Sequence, residues 1–178
     1  IRDEYWKYTR TASITYGIFK QNNPAIESLD GYLIPALDAH LVVFVNGEYS
    51  KELSNSNLPQ GIKVVALSEA SASDKDAMCE HLGLHINSEN QAFNTLNTSY
   101  FKDVAFVKVE DNVEVTKPIH VLSICAGDNQ AVNMRNLVVL GANSKANVIT
   151  QFEGEGNTDS FTNVVSEVVV GDGAKGGL

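Results

Sequence analysis

Cys79, His81 and His85 lie close together in the stretch MCEHLGLH, and all three are residue types that bind metals. His81 and His85 are four apart, a spacing that places two imidazoles on one face of a helix. Gly83 interrupts that helix, Cys79 points away from His81, and no fourth ligand is near in sequence. A structural or catalytic zinc site brings together three or four ligands. The expectation here is therefore a partly buried helix end, and no metal ligand is assigned. His120 lies in KPIHVLSI, where strand alternation puts it on the face of Leu122 and Ile124 or toward a groove. No nucleophile motif ties a Ser or Cys to it. Cys125 ends the same run and reads as a small buried hydrophobe.

Paired carboxylates can hydrolyse glycosidic bonds, and Glu153, Glu155 and Asp159 cluster in FEGEGNTDSF. They lack apolar neighbours that would raise a carboxyl pKa, so they read as a solvated loop. The glycines of GDGAKGG suggest a phosphate loop only superficially. The spacing of that motif and its strand-to-helix context are both missing, so corners of a β structure are expected. These residues form no constellation specific enough to name a reaction, and no catalytic, cofactor-binding or metal residue is assigned.

The elements that would carry these residues come next. The chain has 178 residues, 43% hydrophobic and 20% charged, which is the composition of a folded globular chain. Its net charge of −9 argues against a nucleic-acid partner and against an anionic membrane surface. No apolar run reaches the length of a membrane span, and IRDEYWKYTR has no hydrophobic signal region. Two cysteines are too few for a disulfide framework, so reduced thiols and a cytoplasmic location are expected.

Residues 1–100 read as a mixed α/β region. His40 to Val45 is a strand run, Asn46-Gly47 predicts a type I′ turn, and Glu48 to Leu53 would return. Gly61 to Leu67 is a third strand. Ser73 and the following acidic residues predict an N-cap for a helix over Asp74 to Leu82 that stops at Gly83. Phe93, Leu96, Tyr100 and Phe101 are spaced as one helix face within Asn90 to Phe101. Residues 101–178 carry only short β-branched runs: Val104 to Val109, Val113 to Val115, Ile119 to Ile124, Leu137 to Leu140, Ala146 to Phe152 and Phe161 to Val170. Many short strands leave sandwich, barrel and solenoid open. LVVLGANSKANVI and EVVVGDGAKGGL share an apolar run, a Gly corner and a small-residue turn, with Gly141 and Gly171 in equivalent places. A repeat of that length suggests stacked units in which Ala146 and Ala174 pack inside.

Four stretches carry a family resemblance. Tyr5-Trp6-Lys7-Tyr8-Thr9, Phe93-Asn94-Thr95-Leu96-Asn97, Val115-Thr116-Lys117-Pro118-Ile119, and Met134 to Leu140 with Phe161-Thr162-Asn163-Val164 resemble, in order, elements of the SufB/SufD family. The first of these resembles SufD more than SufB. Met134 stands where the family usually has a Pro before the Arg.

The resemblance implies a mainly β chain with a right-handed parallel β-helix (solenoid) core after a mixed helical and β region. It implies a non-catalytic scaffold subunit of the SUF iron–sulfur cluster assembly complex, concerned with assembly and iron supply. Its partners would be a SufB-like paralogue and a SufC-like ABC ATPase. The iron–sulfur cluster would be built by the whole complex, with no cofactor bound by this segment. The family's cluster-site and ATPase-contact residues belong to a part of the family beyond this segment. Trp6, Phe93, Leu96 and Phe101 would pack the first region onto the first coils. Solenoid ends need caps, so an uncapped last coil would fray or form a homodimer. Two rivals are a carbohydrate-active β-helix enzyme, which would use Glu153 and Glu155, and a β-solenoid binding protein.

Overall fold

A computed structural model describes residues 11–20, 24–55, 57–86, 91–154 and 159–177. The Trp6 stretch and Glu155 lie outside these residues. Among the described residues the chain is mostly β, with two mixed sheets and few helices. After a four-residue helix α1 (Ala12–Thr15), the order is β1 (His40–Val45), β2 (Glu48–Ser50), β3 (Ile62–Ala66), α2 (Ala72–Cys79), α3 (Ala92–Tyr100), β4 (Val104–Val109), β5 (Ile119–Cys125), β6 (Ala131–Leu140), β7 (Lys145–Gly154), β8 (Phe161–Val170) and β9 (Lys175–Gly177).

From β4 onward successive strands alternate between the sheets. One sheet runs β2-β1-β5-β7-β9 and the other β3-β4-β6-β8. Among the described residues, only β1 with β2 and β3 with β4 pair antiparallel; the other ladders are parallel. Valine and isoleucine runs suit strands that are covered on both faces. All seven residues of β5 are buried. Between the sheets lies a core that includes Phe44, Val107, Val109, Ile119, Val121, Met134 and Val138. The outer face of the first sheet is covered by Ile26, Leu29, Tyr32 and Leu53, which pack on Val43, Leu122 and Ile124. The outer face of the second is covered by Met78, Leu82 and Phe101 over Val104, Phe106 and Leu137.

The corners between the sheets stack as well. Glu110-Asp111-Asn112, Gly141-Ala142-Asn143 and Gly171-Asp172-Gly173 lie one above another. Gly141 N–H donates to the Val109 carbonyl and Gly171 N–H to that of Leu140, each at 2.8 Å. Asn112, Asn143 and Gly173 all have positive φ, at 62°, 54° and 70°. Asn tolerates that region and Gly adopts it freely. The Asn143 side chain donates to that of Asn112 at 3.3 Å. Gly141 is required by crowding: a Cβ there would stand 2.6 Å from the backbone nitrogen of Asp111.

Several expectations are corrected. The return strand stops at Ser50 rather than Leu53, because Ser54 takes over the ladder: its hydroxyl accepts from Val43 N–H at 2.9 Å and donates to the Ser50 carbonyl. The helix expected over Asp74 to Leu82 spans Ala72–Cys79 instead, because Ser71, not Ser73, forms a capping box with Asp74. Val113 to Val115 is no strand; it contributes an isolated bridge between Glu114 and Lys145. The run read from Leu137 begins at Ala131, since polar Asn133, Arg135 and Asn136 are buried and paired in the ladder. On α3 the residue turned fully inward is Asn97, while Tyr100 is 66% exposed. The expectation for Ala146 and Ala174 holds: Ala146 is buried in the core between the sheets and Ala174, partly buried, packs against it.

Candidate functional site

A buried polar cluster lies on the outer face of β6 and β8, where α3 and the turn after α2 cross them. Strand alternation aims Arg135 and Glu167 outward from neighbouring strands. There they meet at 3.0 Å, with side chains 1% and 0% exposed. Glu167 also accepts from the backbone N–H of Gly83, at 2.9 Å, and of His85, at 3.0 Å. One carboxylate thus holds an arginine and the exposed end of the α2 turn together. Arg135 further donates to the Asn97 side-chain oxygen at 3.1 Å. Its guanidinium carbon stands 5.9 Å from the centre of the Phe101 ring. The Arg135 Nε is buried without a partner.

Asn97 completes the junction. Its amide donates to the carbonyl oxygens of Met134, at 2.7 Å, and Asn163, at 3.0 Å. Asn163 donates in turn to the Phe93 carbonyl, at 2.8 Å, and to the Asn133 side chain. The Phe93 and Phe161 rings lie 6.0 Å apart. Phe93, Asn97, Arg135, Phe161 and Asn163 come from three separate sequence motifs and converge here. Buried charges are tolerated only when paired and hydrogen-bonded. The cluster therefore fixes the helical cover on the sheet; it presents no open atom to a substrate.

The other candidate residues are dispersed. Cys79 is exposed and Cys125 is buried in the core. His81 and His85 lie past the end of α2, yet their rings meet: Nδ1 of His81 and Nε2 of His85 are 3.4 Å apart. His120 is buried, with Nε2 unpartnered. Burial lowers its pKa below the ordinary imidazole value, and nearby Gln151 opposes that in part. Glu153 accepts from the Gln151 amide at 2.8 Å at the end of β7, and Asp159 is exposed ahead of β8. Among the described residues no three His, Cys, Asp or Glu side chains gather to hold a metal. The GDG glycines are corners of the stack rather than a phosphate loop.

Two ion pairs shift Asp74, Glu114 and Lys145. Lys63 and Ser71 both hydrogen-bond Asp74 and lower its pKa, with Lys63 the larger influence. At the surface Glu114 is lowered and Lys145 raised by their mutual bond at 2.8 Å. Asn46 serves in a way that sequence reasoning missed. It shapes the type I′ turn and is also buried, exchanging side-chain hydrogen bonds with Ala126 N–H and C=O at 2.8 and 3.0 Å.

The sequence profile of the SufBD protein N-terminal region matches residues 2–121. An iron–sulfur cluster assembly SufBD family protein of Synechocystis sp. is 27% identical to the chain over 188 residues, which cover 98% of this chain and 41% of that protein. The chain thus spans about two-fifths of that relative's length. No helix among the described residues is long and apolar enough to cross a membrane. The profile match extends over most of the chain and takes in the Phe93 to Asn97 and Val115 to Ile119 motifs, so the chain belongs to the SufBD family.

Proposed function

We propose that this chain is a segment of a non-catalytic scaffold subunit in an iron–sulfur cluster assembly complex. In that complex a SufB-like and SufD-like pair works with a SufC-like ABC ATPase in the cytoplasm. Family membership supports this, as does the relative named for iron–sulfur cluster assembly. The Tyr5-Trp6-Lys7-Tyr8-Thr9 stretch favours the SufD side of the pair and, with it, a role in iron supply.

The observation that carries the reading is the stacking of β4, β6 and β8 against β5, β7 and β9. Hydrogen-bonded corners link the two sets, and the side-chain pairs Asn133–Asn163 and Asn136–Ser166 span 30 residues. This pattern supports a parallel β-helix, right-handed because parallel crossovers nearly always are. In a solenoid each coil is stabilised by its neighbours. Such a stack is a stiff platform, suited to holding partners and passing on an ATPase-driven movement. The cluster itself is cargo of the whole assembly.

Affinity capture of the full-length protein, with mass spectrometry of what is retained, tests this. Recovery of an ABC-type ATPase together with a SufB-like protein is expected. Recovery of neither contradicts the proposal.

A further inference from the structure

We propose that His81 and His85 form an open, two-imidazole site for a borderline divalent cation such as Zn²⁺. The separation of their facing nitrogens, 3.4 Å, is the first observation. Metal–imidazole bonds of 2.0–2.1 Å meeting at a tetrahedral angle place the two nitrogens about 3.3–3.4 Å apart. A metal can therefore be bound with the two nitrogens at their present separation, once the rings rotate to aim both lone pairs at it.

The second observation is how the two backbones are held. His81 N–H donates to the carbonyl of Met78 at 3.1 Å, and Leu84 N–H returns to the His81 carbonyl at 3.0 Å. Met78 is 1% exposed and anchors that turn in the core. His85 N–H is bound to buried Glu167 at 3.0 Å. Gly83, whose φ is +84°, allows the turn that brings the rings together past the helix end. Ligands fixed in advance lose little freedom on binding.

The pair is exposed at the surface. In the metal-free form the two nitrogens share one proton, carried by one ring or the other. A bound cation needs both lone pairs, so the ring that donated changes tautomer: it gives up the proton on its facing nitrogen to water and takes one up on its far nitrogen, which leaves the protons on Nε2 of His81 and Nδ1 of His85. The remaining coordination positions fall to water, since no third ligating side chain joins the group among the described residues. A site of this kind binds weakly and exchanges readily, and it has room for a ligand supplied by another molecule.

Titration of the full chain with Zn²⁺, followed by nitrogen–proton correlation of the imidazoles, tests the site. The expected result is saturation at one equivalent, with His81 and His85 moving to the tautomers given above. H81Q and H85Q should each lower affinity about tenfold or more, the cost known for lesser damage to metal sites. Thermal melts should confirm that both variants remain folded. Unshifted His81 and His85 signals at saturating Zn²⁺, or undiminished affinity in both variants, would overturn the proposal.

Discussion

Arg135 on β6 and Glu167 on β8 form an ion pair at 3.0 Å with almost no exposure of either side chain. Removing one member of a buried pair strands the other charge, at a cost of about 3–5 kcal/mol. R135M and E167Q should each lose stability of that order in urea unfolding. The double variant should lose clearly less than the two single losses combined, because neither charge is then left alone. Additive losses would show that the pair is not coupled.

Asn97 links three parts of the fold with one side chain. N97A would leave the Met134 and Asn163 carbonyls without their donor and withdraw an acceptor from Arg135. Each unsatisfied buried group costs about 1–3 kcal/mol. The loss should appear as faster amide exchange across α3 before it appears in β4 or β5. Uniform acceleration across all strands would contradict the view that Asn97 is a local tether for the helix.

His120 makes stability depend on pH. In the unfolded chain its imidazole takes up a proton near the ordinary value of 6.5, whereas burial lowers its pKa in the fold. Below about that pH the unfolded state binds more protons, so stability falls as pH falls and is level above it. The slope for one proton is at most about 1.4 kcal/mol per pH unit. H120L should remove this contribution and flatten the profile between neutral pH and the folded-state pKa. Parallel profiles for the two proteins would rule it out.

The corner glycines offer a test of the stacking. A Cβ at Gly141 would stand 2.6 Å from Asp111 N and 2.8 Å from Glu110 C, both backbone atoms of the corner below. G141A should cost about 1–3 kcal/mol through forced separation of the two corners. The same change at Gly154, where an added Cβ meets nothing nearer than 3.9 Å and φ, as at Gly141, is not in the left-handed region, is the control without crowding. If both variants show the same loss, crowding between corners is not the cause.

The strands were legible because β-branched residues are dense in them and Gly, Asn, Asp or Pro bound them; Val104 to Val109 and Phe161 to Val170 have the predicted bounds. The Asn-Gly turn was legible from backbone preference alone. The Arg135 cluster was not. A polar residue in a strand reads as exposed, and only the third dimension shows that Asn97, Arg135, Asn163 and Glu167 satisfy one another. The lowest corner, Glu110-Asp111-Asn112, lacks the glycine that marked the other two, so the repeat showed two copies where the fold has three. Gly83 read as a break between His81 and His85, yet its positive φ turns the chain so that their rings meet.

If the full-length protein is a scaffold in iron–sulfur cluster assembly, as proposed, cluster formation depends on it. The most direct measurement reconstitutes assembly from the purified SufB-like protein, the ABC ATPase, iron, a sulfur donor and ATP, and follows cluster absorbance with and without this subunit. Cluster formation and transfer to an apo-ferredoxin should rise when the subunit is present and fall back when it is omitted. Equal yield and rate in both mixtures would contradict it.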